Sequence, residues 1–345
     1  MNTSSTFAIG RHRIGAGEPC FIIAEAGSNH DRDLPRAKQL VDTAVAAGAD
    51  AVKFQTFTAE TIAAKGGAAI DVAGARTLFD LYRQMELPRE WQRELADYCR
   101  ARGIVFLSTP FDAAAVDELD ALGVPAFKIA SFECIDLPLL RHAAGKGRPI
   151  VLSTGLASLG EIEEALEAIA GAGDPPVALL HCAVKYPAQP ASANLAVMDT
   201  LRRAFRVPVG YSDHTLGVSV PIAAAALGAT VIEKHFTVDK TLPGPDHSFA
   251  LDPAELAAMV RGIREAEAAL GSPVKRPAPE EAAAKQYRRS IFAIADIPAG
   301  TLIRCEHVAV LRPGGGLMPR FLEVVIGRRA RRDLRAHDPI TWEDV

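Results

Sequence analysis

The stretch Val207-Pro-Val-Gly-Tyr-Ser-Asp-His-Thr-Leu-Gly-Val-Ser-Val-Pro-Ile-Ala-Ala-Ala-Ala-Leu-Gly-Ala-Thr-Val-Ile-Glu-Lys-His-Phe236 holds two β-rich runs with a helix-forming segment between them. Val207–Ser212 and Thr230–Phe236 are short and largely apolar, which suits strands buried on both faces of a parallel sheet. Val218–Leu227 has helical spacing, and Gly228 follows it, where glycine tolerates the left-handed turn that ends a helix. Both runs close on polar residues, Ser212-Asp-His214 and Glu233-Lys-His235.

The same unit recurs upstream. Six more runs, Phe21–Gly27, Ala51–Phe57, Ile104–Thr109, Ala126–Ala130, Ile150–Thr154 and Val177–Cys182, bring the total to eight. Helical stretches Pro35–Ala47, Arg89–Arg102, Ala113–Leu122 and Leu159–Ala170 alternate with them, and Gly48, Gly103 and Gly123 mark ends. Eight alternations over about 250 residues predict a (β/α)8 TIM barrel. An open doubly wound sheet usually carries a Gly-rich phosphate loop after its first strand, and Ala24–His30 has no GxGxxG. The longest gap follows the second strand, and its Thr58–Asp80 portion is expected to pass over the catalytic face.

The barrel is expected to occupy residues 1–272. A linker, 273–289, contains Pro273, Pro277 and Pro279, and a small β-rich module covers 290–345. The module carries a weak repeat. Asp296-Ile-Pro-Ala-Gly-Thr-Leu-Ile-Arg-Cys-Glu-His-Val308 aligns without gaps to Asp333-Leu-Arg-Ala-His-Asp-Pro-Ile-Thr-Trp-Glu-Asp-Val345, with five of thirteen positions identical. So small a module has little core of its own.

Composition excludes several classes. The 345 residues are 49% hydrophobic and 23% charged, as in an ordinary globular protein with a large core. A formal charge of −4 gives no footprint for nucleic acid. The basic run Arg328, Arg329, Arg331, Arg332, Arg335 lacks interleaved aromatics and reads as a solvated face. No apolar run is long enough to span a bilayer, and Met1–Gly10 has no secretory pattern. The five scattered cysteines form no CxxC pair, which predicts reduced thiols in a cytoplasmic protein, with Cys182 packed in the core.

In a TIM barrel the active site gathers at the C-terminal ends of the strands. Those ends offer Glu25, Ser28, Lys53, Gln55, Thr109, Lys128, Ser131, Glu133, Ser153, Lys185, Tyr186, Ser212, His214, Glu233 and His235. Lysines with hydroxyls from several strands suit a phosphate and a carboxylate. The chain has 10 Lys against 28 Arg, so a Lys kept at a strand end points to a need for a compact ammonium. His214 and His235 end adjacent strands, about 4.8 Å apart, and two imidazoles there can share an ion. Glu25 can close the same ring from the first strand. Histidine with carboxylate suits Mn, Fe, Co or Zn, and softness alone does not choose. His181, inside an apolar run, is structural. Pro243-Gly-Pro-Asp246-His247 is stiff on both sides of its glycine; it either holds Asp246 over the site or is a plain surface turn.

Glu25-Ala-Gly-Ser-Asn-His30, Lys53-Phe-Gln55, Lys128-Ile-Ala-Ser131, Ser153-Thr-Gly155, Tyr186-Pro187, Ser212-Asp-His214, Glu233-Lys-His-Phe236 and Gly244-Pro-Asp-His247 together resemble the sialic acid synthase family. That family includes pseudaminic and legionaminic acid synthases. Arg312-Pro-Gly-Gly-Gly-Leu-Met-Pro319 resembles its antifreeze-like (SAF) domain. The likeness covers about residues 15–345.

The resemblance implies an enzyme that condenses phosphoenolpyruvate with an N-acyl hexosamine of the N-acetylmannosamine type, giving a nonulosonate and phosphate. It implies that Lys53, Thr109, Lys128, Ser131, Ser153 and Ser212 hold phosphoenolpyruvate. His214 and His235 would hold a divalent metal, Mn2+ or Mg2+. Glu25, Gln55, Tyr186, Glu233, Asp246 and, from the partner of a domain-swapped homodimer, Arg312 would meet the sugar, with Glu25 moving the proton. Lys128-Ile-Ala-Ser-Phe-Glu133 resembles pseudaminic acid synthases, and Gly244-Pro-Asp-His247 resembles N-acetylneuraminate and legionaminate synthases. The chain departs from the family at Val184, where Asn or Ser is common, leaving that phosphate contact to Lys185 or to a different site. Arg32 stands where Gly is frequent. Two other readings compete: a Schiff-base aldolase using Lys53 or Lys128, and a sugar- or ice-binding protein acting through residues 285–345.

Overall fold

The computed structural model describes residues 5–66, 69–72 and 74–345. It divides into two compact units, Met1–Gly271 and Ser272–Val345.

In the first unit eight parallel strands form one sheet: β1 (Phe21–Glu25), β2 (Ala51–Thr56), β3 (Val105–Pro110), β4 (Phe127–Ile129), β5 (Ile150–Ser153), β6 (Val177–Cys182), β7 (Val209–Asp213) and β8 (Val231–His235). The ladder runs β3-β2-β1-β8-β7-β6-β5-β4, and β3 lies against β4, so the sheet closes into a barrel. The helices expected between strands are present, among them Leu34–Ala47, Trp91–Arg102, Ala113–Leu122, Leu159–Ala170 and Ser219–Ala226. Three of them end as anticipated, on Gly48, Gly103 and Gly123 at φ of 80°, 75° and 78°. Asp33, Asp112, Asp136, Ser158 and Asp252 cap helix starts by accepting backbone N–H bonds.

Side-chain alternation along the strands separates two cores. Ile22, Ala24, Val52, Phe54, Phe106, Leu152 and Leu179 face outward and pack beneath the helices. Phe21, Ile23, Ala51, Leu107, Ala126, Val151, Leu180 and Val231 face inward and fill the barrel. Two residues further along the same strands, the inward positions become Glu25, Lys53, Thr109, Lys128, Ser153, Cys182 and Glu233. The barrel interior is therefore apolar below and polar above. An N-terminal hairpin, Thr6–Ile9 with His12–Gly15, adds Ile9 and Ile14 to the apolar layer. Gly210 occupies an inward position that no larger residue fits, because a Cβ there would lie 2.2 Å from the Val231 carbonyl oxygen.

Outside this interior, β7 and β8 are fastened by a buried ion pair. Asp213 and Lys234 are register partners, and Lys234 Nζ lies 2.5 Å from Asp213 Oδ2 and also donates to the Thr215 carbonyl. Lys234→Met leaves Asp213 a buried charge without its partner. Breaking such a pair from one side costs about 3–5 kcal/mol. The urea midpoint should fall accordingly, and a change within about 0.5 kcal/mol would show that water compensates Asp213.

The segment after β2 contains short helices Ala59–Ile62 and Leu78–Met85 and a hairpin, Ala69–Val72 with Ala75–Thr77. Part of the expected Thr58–Asp80 excursion, residues 67, 68 and 73, lies outside the described residues.

In the second unit the sequence repeat is a structural one. Asp296 Oδ1 accepts from Ala336 N at 2.9 Å, and Asp333 Oδ1 accepts from Ala299 N at 2.7 Å. Ile297 and Leu334 exchange both backbone hydrogen bonds. Equivalent positions thus bind reciprocally across a pseudo-twofold axis. Ile291, Ile297, Ile303, Val325, Leu334 and Ile340 make the small core.

Candidate functional site

The polar layer at the top of the barrel lines one cavity of ≈ 60 Å³. Glu25, Lys53, Gln55, Thr109, Lys128, Ser131, Ser153, Tyr186, Ser212, His214, Glu233 and His235 all reach it. Asp246 lies beside it, with Oδ2 3.8 Å from His235 Nδ1 and accepting from Ser28 Oγ at 3.0 Å. Arg312 belongs to the second unit, exposed just after the Val308–Leu311 strand.

Strand pairing places the charges. Glu25 and Lys53 are register partners on β1 and β2, and Lys53 Nζ lies 2.8 Å from Glu25 Oε2 and 2.9 Å from Thr109 Oγ1. Gln55 Nε2 donates to Glu25 Oε1 at 2.8 Å. Across the cavity, Glu233 Oε1 accepts from Ser212 Oγ at 3.0 Å and stands 3.4 Å from Lys128 Nζ. Lys53 is 3.8 Å from the same carboxylate. Both lysines and both glutamates are buried.

Their surroundings push the two carboxyls apart. Burial raises Glu25 to about 7, against the pull of Lys53. Glu233 is equally buried, but Lys128, Lys53 and the Ser212 hydroxyl overcome that cost and hold it at about 2. One carboxyl is thus poised to trade a proton near neutrality while the other stays ionised, which is the pattern of an acid–base site. Burial weakens the Lys53 ammonium, yet Glu233 and Glu25 more than restore it, and its pKa is raised. Burial lowers that of Lys128. A charged Lys53 is the reverse of the neutral amine that a Schiff base requires.

Among the described residues, the buried polar atoms without a hydrogen bond include two on uncharged groups of the cavity wall. Ser153 Oγ is buried and makes no hydrogen bond, and His235 Nδ1 is likewise unbonded. Unsatisfied buried polar atoms are costly, and at a cavity wall they mark where a ligand is received. Gly155, beside the cavity, has its N–H bonded to Ser131 Oγ at 3.0 Å. Its missing Cβ would lie 2.5 Å from Val184 Cγ1, so the residue that departs from the family pattern packs on this turn as an apolar wedge. Lys185 is exposed and does not line the cavity.

His214 and His235 come together as expected, with ring centroids 5.4 Å apart. Burial holds them neutral, at about 4 and about 3. His214 Nδ1 lies 2.8 Å from the Ala183 carbonyl, which can only accept, so Nδ1 carries the proton and Nε2 keeps a free lone pair. The ring of three ligands does not form: Glu25 faces Lys53 and Gln55 instead. Among the described residues no group of three His, Cys, Asp or Glu side chains converges to hold a metal.

Three neighbours escape a reading by residue type. Phe249 packs edge-on against Tyr186 and His235, with centroids 5.6 Å and 5.4 Å away, and an isolated aromatic after the Asp246 loop carries no motif. Cys182 is buried like a core residue but faces the cavity, its Sγ 3.6 Å from His214 Nδ1; burial raises the thiol to about 11, so it is no nucleophile at neutral pH. His247 bonds Thr237 Oγ1 at 2.6 Å and Asp31 Oδ2 at 3.0 Å, fastening the loop that carries Asp246.

Comparison with known proteins agrees with this geometry. The spore coat polysaccharide biosynthesis protein SpsE of Bacillus subtilis is 42% identical over 99% of this chain and 97% of its own length. Its crystal structure superposes with a TM-score of 0.69, covering 99% of each chain. The N,N'-diacetyllegionaminic acid synthase of Legionella pneumophila is 41% identical over 96% of both chains. The N-acetylneuraminic acid synthetase of Leptospira borgpetersenii, solved with citrate, matches with a TM-score of 0.74 and 36% identity over 80% of this chain and 93% of that one. The NeuB family model matches residues 40–275 and the SAF domain model residues 288–345. The chain belongs to the NeuB family of synthases and ends in a SAF domain.

Proposed function

We propose that the protein condenses phosphoenolpyruvate with the open-chain aldehyde of an N-acyl hexosamine, giving a sialic-acid-type nonulosonate and phosphate. The observation that carries this reading is the polar layer itself: two buried lysines, an unbonded serine hydroxyl, and two carboxyls with divided pKa values. Lys53, Thr109, Lys128, Ser131, Ser153 and Ser212 supply the cationic and neutral donors for the phosphate and carboxylate of phosphoenolpyruvate. Gln55, Tyr186, Glu233 and Asp246 contact the sugar.

Three bond changes make up the reaction. Carbon 3 of phosphoenolpyruvate bonds to the aldehyde carbon, whose oxygen takes a proton. Water then adds to carbon 2, which the attack left electron-poor, and gives up one proton; the new hydroxyl yields its second proton to the departing phosphate as the C–O bond breaks and the carbon 2 ketone forms. Glu25 delivers the first proton, a role supported by its raised pKa, about 7, and its position in the cavity wall. When the substrate's anionic groups take Lys53, Glu25 loses its cation and gains negative neighbours, which favours its protonated form further.

His214 and His235 fit a divalent metal: both are neutral, one has its donor nitrogen fixed by Ala183, and the other has an unbonded nitrogen. Mn2+ or Mg2+ there would polarise the aldehyde or orient water. Exposed Phe132, Ile135, Leu156 and Leu216 lie on the loops after β4, β5 and β7. Such an apolar collar suits a covering partner, and supports a homodimer in which the partner's SAF domain, with its Arg312, caps the site. Five free cysteines support a cytoplasmic enzyme. Among the described residues, no helix is long and apolar enough to cross a membrane.

The test is phosphate release from phosphoenolpyruvate across a panel of aldehydes, with Mn2+ or Mg2+ and with EDTA. Release with N-acetylmannosamine supports the main reading. Release with a 2,4-diacetamido-trideoxyhexose alone makes the product a legionaminate or pseudaminate, a possibility favoured by the 41% identity to the Legionella synthase. No release with any sugar overturns the synthase reading, and undiminished release from metal-free protein overturns the histidine assignment.

A further inference from the structure

A second cavity, of ≈ 630 Å³, opens beside the first. Its walls are Ser28 and Asp31 after β1, Gln84 and Met85 at the end of the Leu78–Met85 helix, and the turn from Pro243 to Pro245. The two cavities share a hinge point. Ser28 lines the outer one and donates to Asp246, whose carboxylate stands over His235 in the inner one. A sugar held at Asp246 with its aldehyde carbon inward therefore directs its other end into the outer cavity.

We infer that this outer cavity is the subsite for the far end of the acceptor, and that it takes an uncharged, weakly polar terminus and rejects an anionic one. The inference rests on the synthase reading above. Among the described residues lining the cavity, Asp31 is the sole charged side chain, and none is Lys or Arg. The nearby guanidinium of Arg36 is paired with Asp31, and His247 bonds the same carboxylate. Arg32, one residue on, is bonded to Glu86 and the Arg83 carbonyl, both at 3.1 Å. A phosphate or carboxylate on the acceptor would lose water there and meet a carboxylate, and the described residues of the cavity wall offer it no cation. Met85, Pro243 and Pro245 instead offer apolar surface to a methyl or hydroxymethyl end.

The inference is tested by measuring kcat/KM with phosphoenolpyruvate and metal for N-acetylmannosamine, a 2,4-diacetamido-trideoxyhexose and N-acetylmannosamine 6-phosphate. The wild-type protein should use the better neutral sugar at least about 100-fold more efficiently than the phosphate ester. Met85→Lys places an ammonium in the cavity and should narrow that ratio about 10-fold or more. Gln84→Lys, at an exposed position on the same helix, does the same should Met85→Lys fold poorly. Equal use of the phosphate ester by wild type, or a ratio unchanged in a folded lysine variant, overturns the subsite alone. Phosphate release with none of the three overturns the synthase reading and the subsite with it.

Discussion

Glu25→Gln is expected to lower kcat by about 10²–10⁴-fold, the usual contribution of a positioned proton donor or acceptor. The amide keeps the size of the carboxyl and can still accept from Gln55, which donates to Oε1 in the wild type at 2.8 Å. What it loses is the transferable proton and the attraction for Lys53. Because Lys53 sits 2.8 Å from Glu25 in the absence of substrate, that attraction competes with phosphoenolpyruvate for the same ammonium. The variant should bind phosphoenolpyruvate at least as tightly as wild type while turning over far more slowly. A structural lesion would weaken both.

The pH profile separates the two roles further. Burial raises Glu25 to about 7, so the protonated acid is lost as pH rises through that value. If it delivers the proton to the new alkoxide, wild-type kcat/KM should fall as pH rises through about 7. This limb should be absent from Glu25→Gln. The titration belongs to the pair with Glu233, so the apparent value should move when Glu233 is altered. A kcat within threefold of wild type would remove Glu25 from proton transfer.

The barrel was legible because strand and helix periods differ. The eight apolar runs coincide with β1 to β8 to within two residues at either end, and Ala113–Leu122 and Leu159–Ala170 match the helices at both ends. The cavity residues were legible for a related reason. Positions 25, 53, 109, 128, 153, 212 and 233 break an inward apolar series near its C-terminal end, where a barrel keeps its chemistry.

What stayed hidden lies mostly between elements. The hairpin Thr6–Gly15 is too short to show a period, and it is defined by Ile9 and Ile14 meeting side chains distant in sequence. Pairing within the cavity was equally obscure. Residue type offered Glu25 to the two histidines, and strand register does set it between His235 and Lys53, but its carboxylate turns to the Lys53 ammonium and the Gln55 amide. Arg32 shows the same limit. It stands where glycine is frequent because the backbone there is left-handed, at φ of 53°, and its bonds to Glu86 and Arg83 offset the strain.

His214→Ala and His235→Ala are expected to lose the metal as well as the activity. Each removes one of two imidazoles that stand with centroids 5.4 Å apart, and no third cluster ligand among the described residues compensates. Metal polarisation supplies several kcal/mol of transition-state stabilisation. Its loss corresponds to about 10²–10⁴ in rate. Metal content per chain, measured by mass spectrometry after dialysis against buffered Mn2+, should fall at least about 10-fold in both variants. His181→Gln is the matched control. Its Nε2 lies 2.9 Å from the Ala193 carbonyl and it does not line the cavity, so full metal content should persist. Wild-type metal content in His214→Ala or His235→Ala would place the ion elsewhere. Loss of activity with metal retained would instead give these histidines a part in holding the substrate.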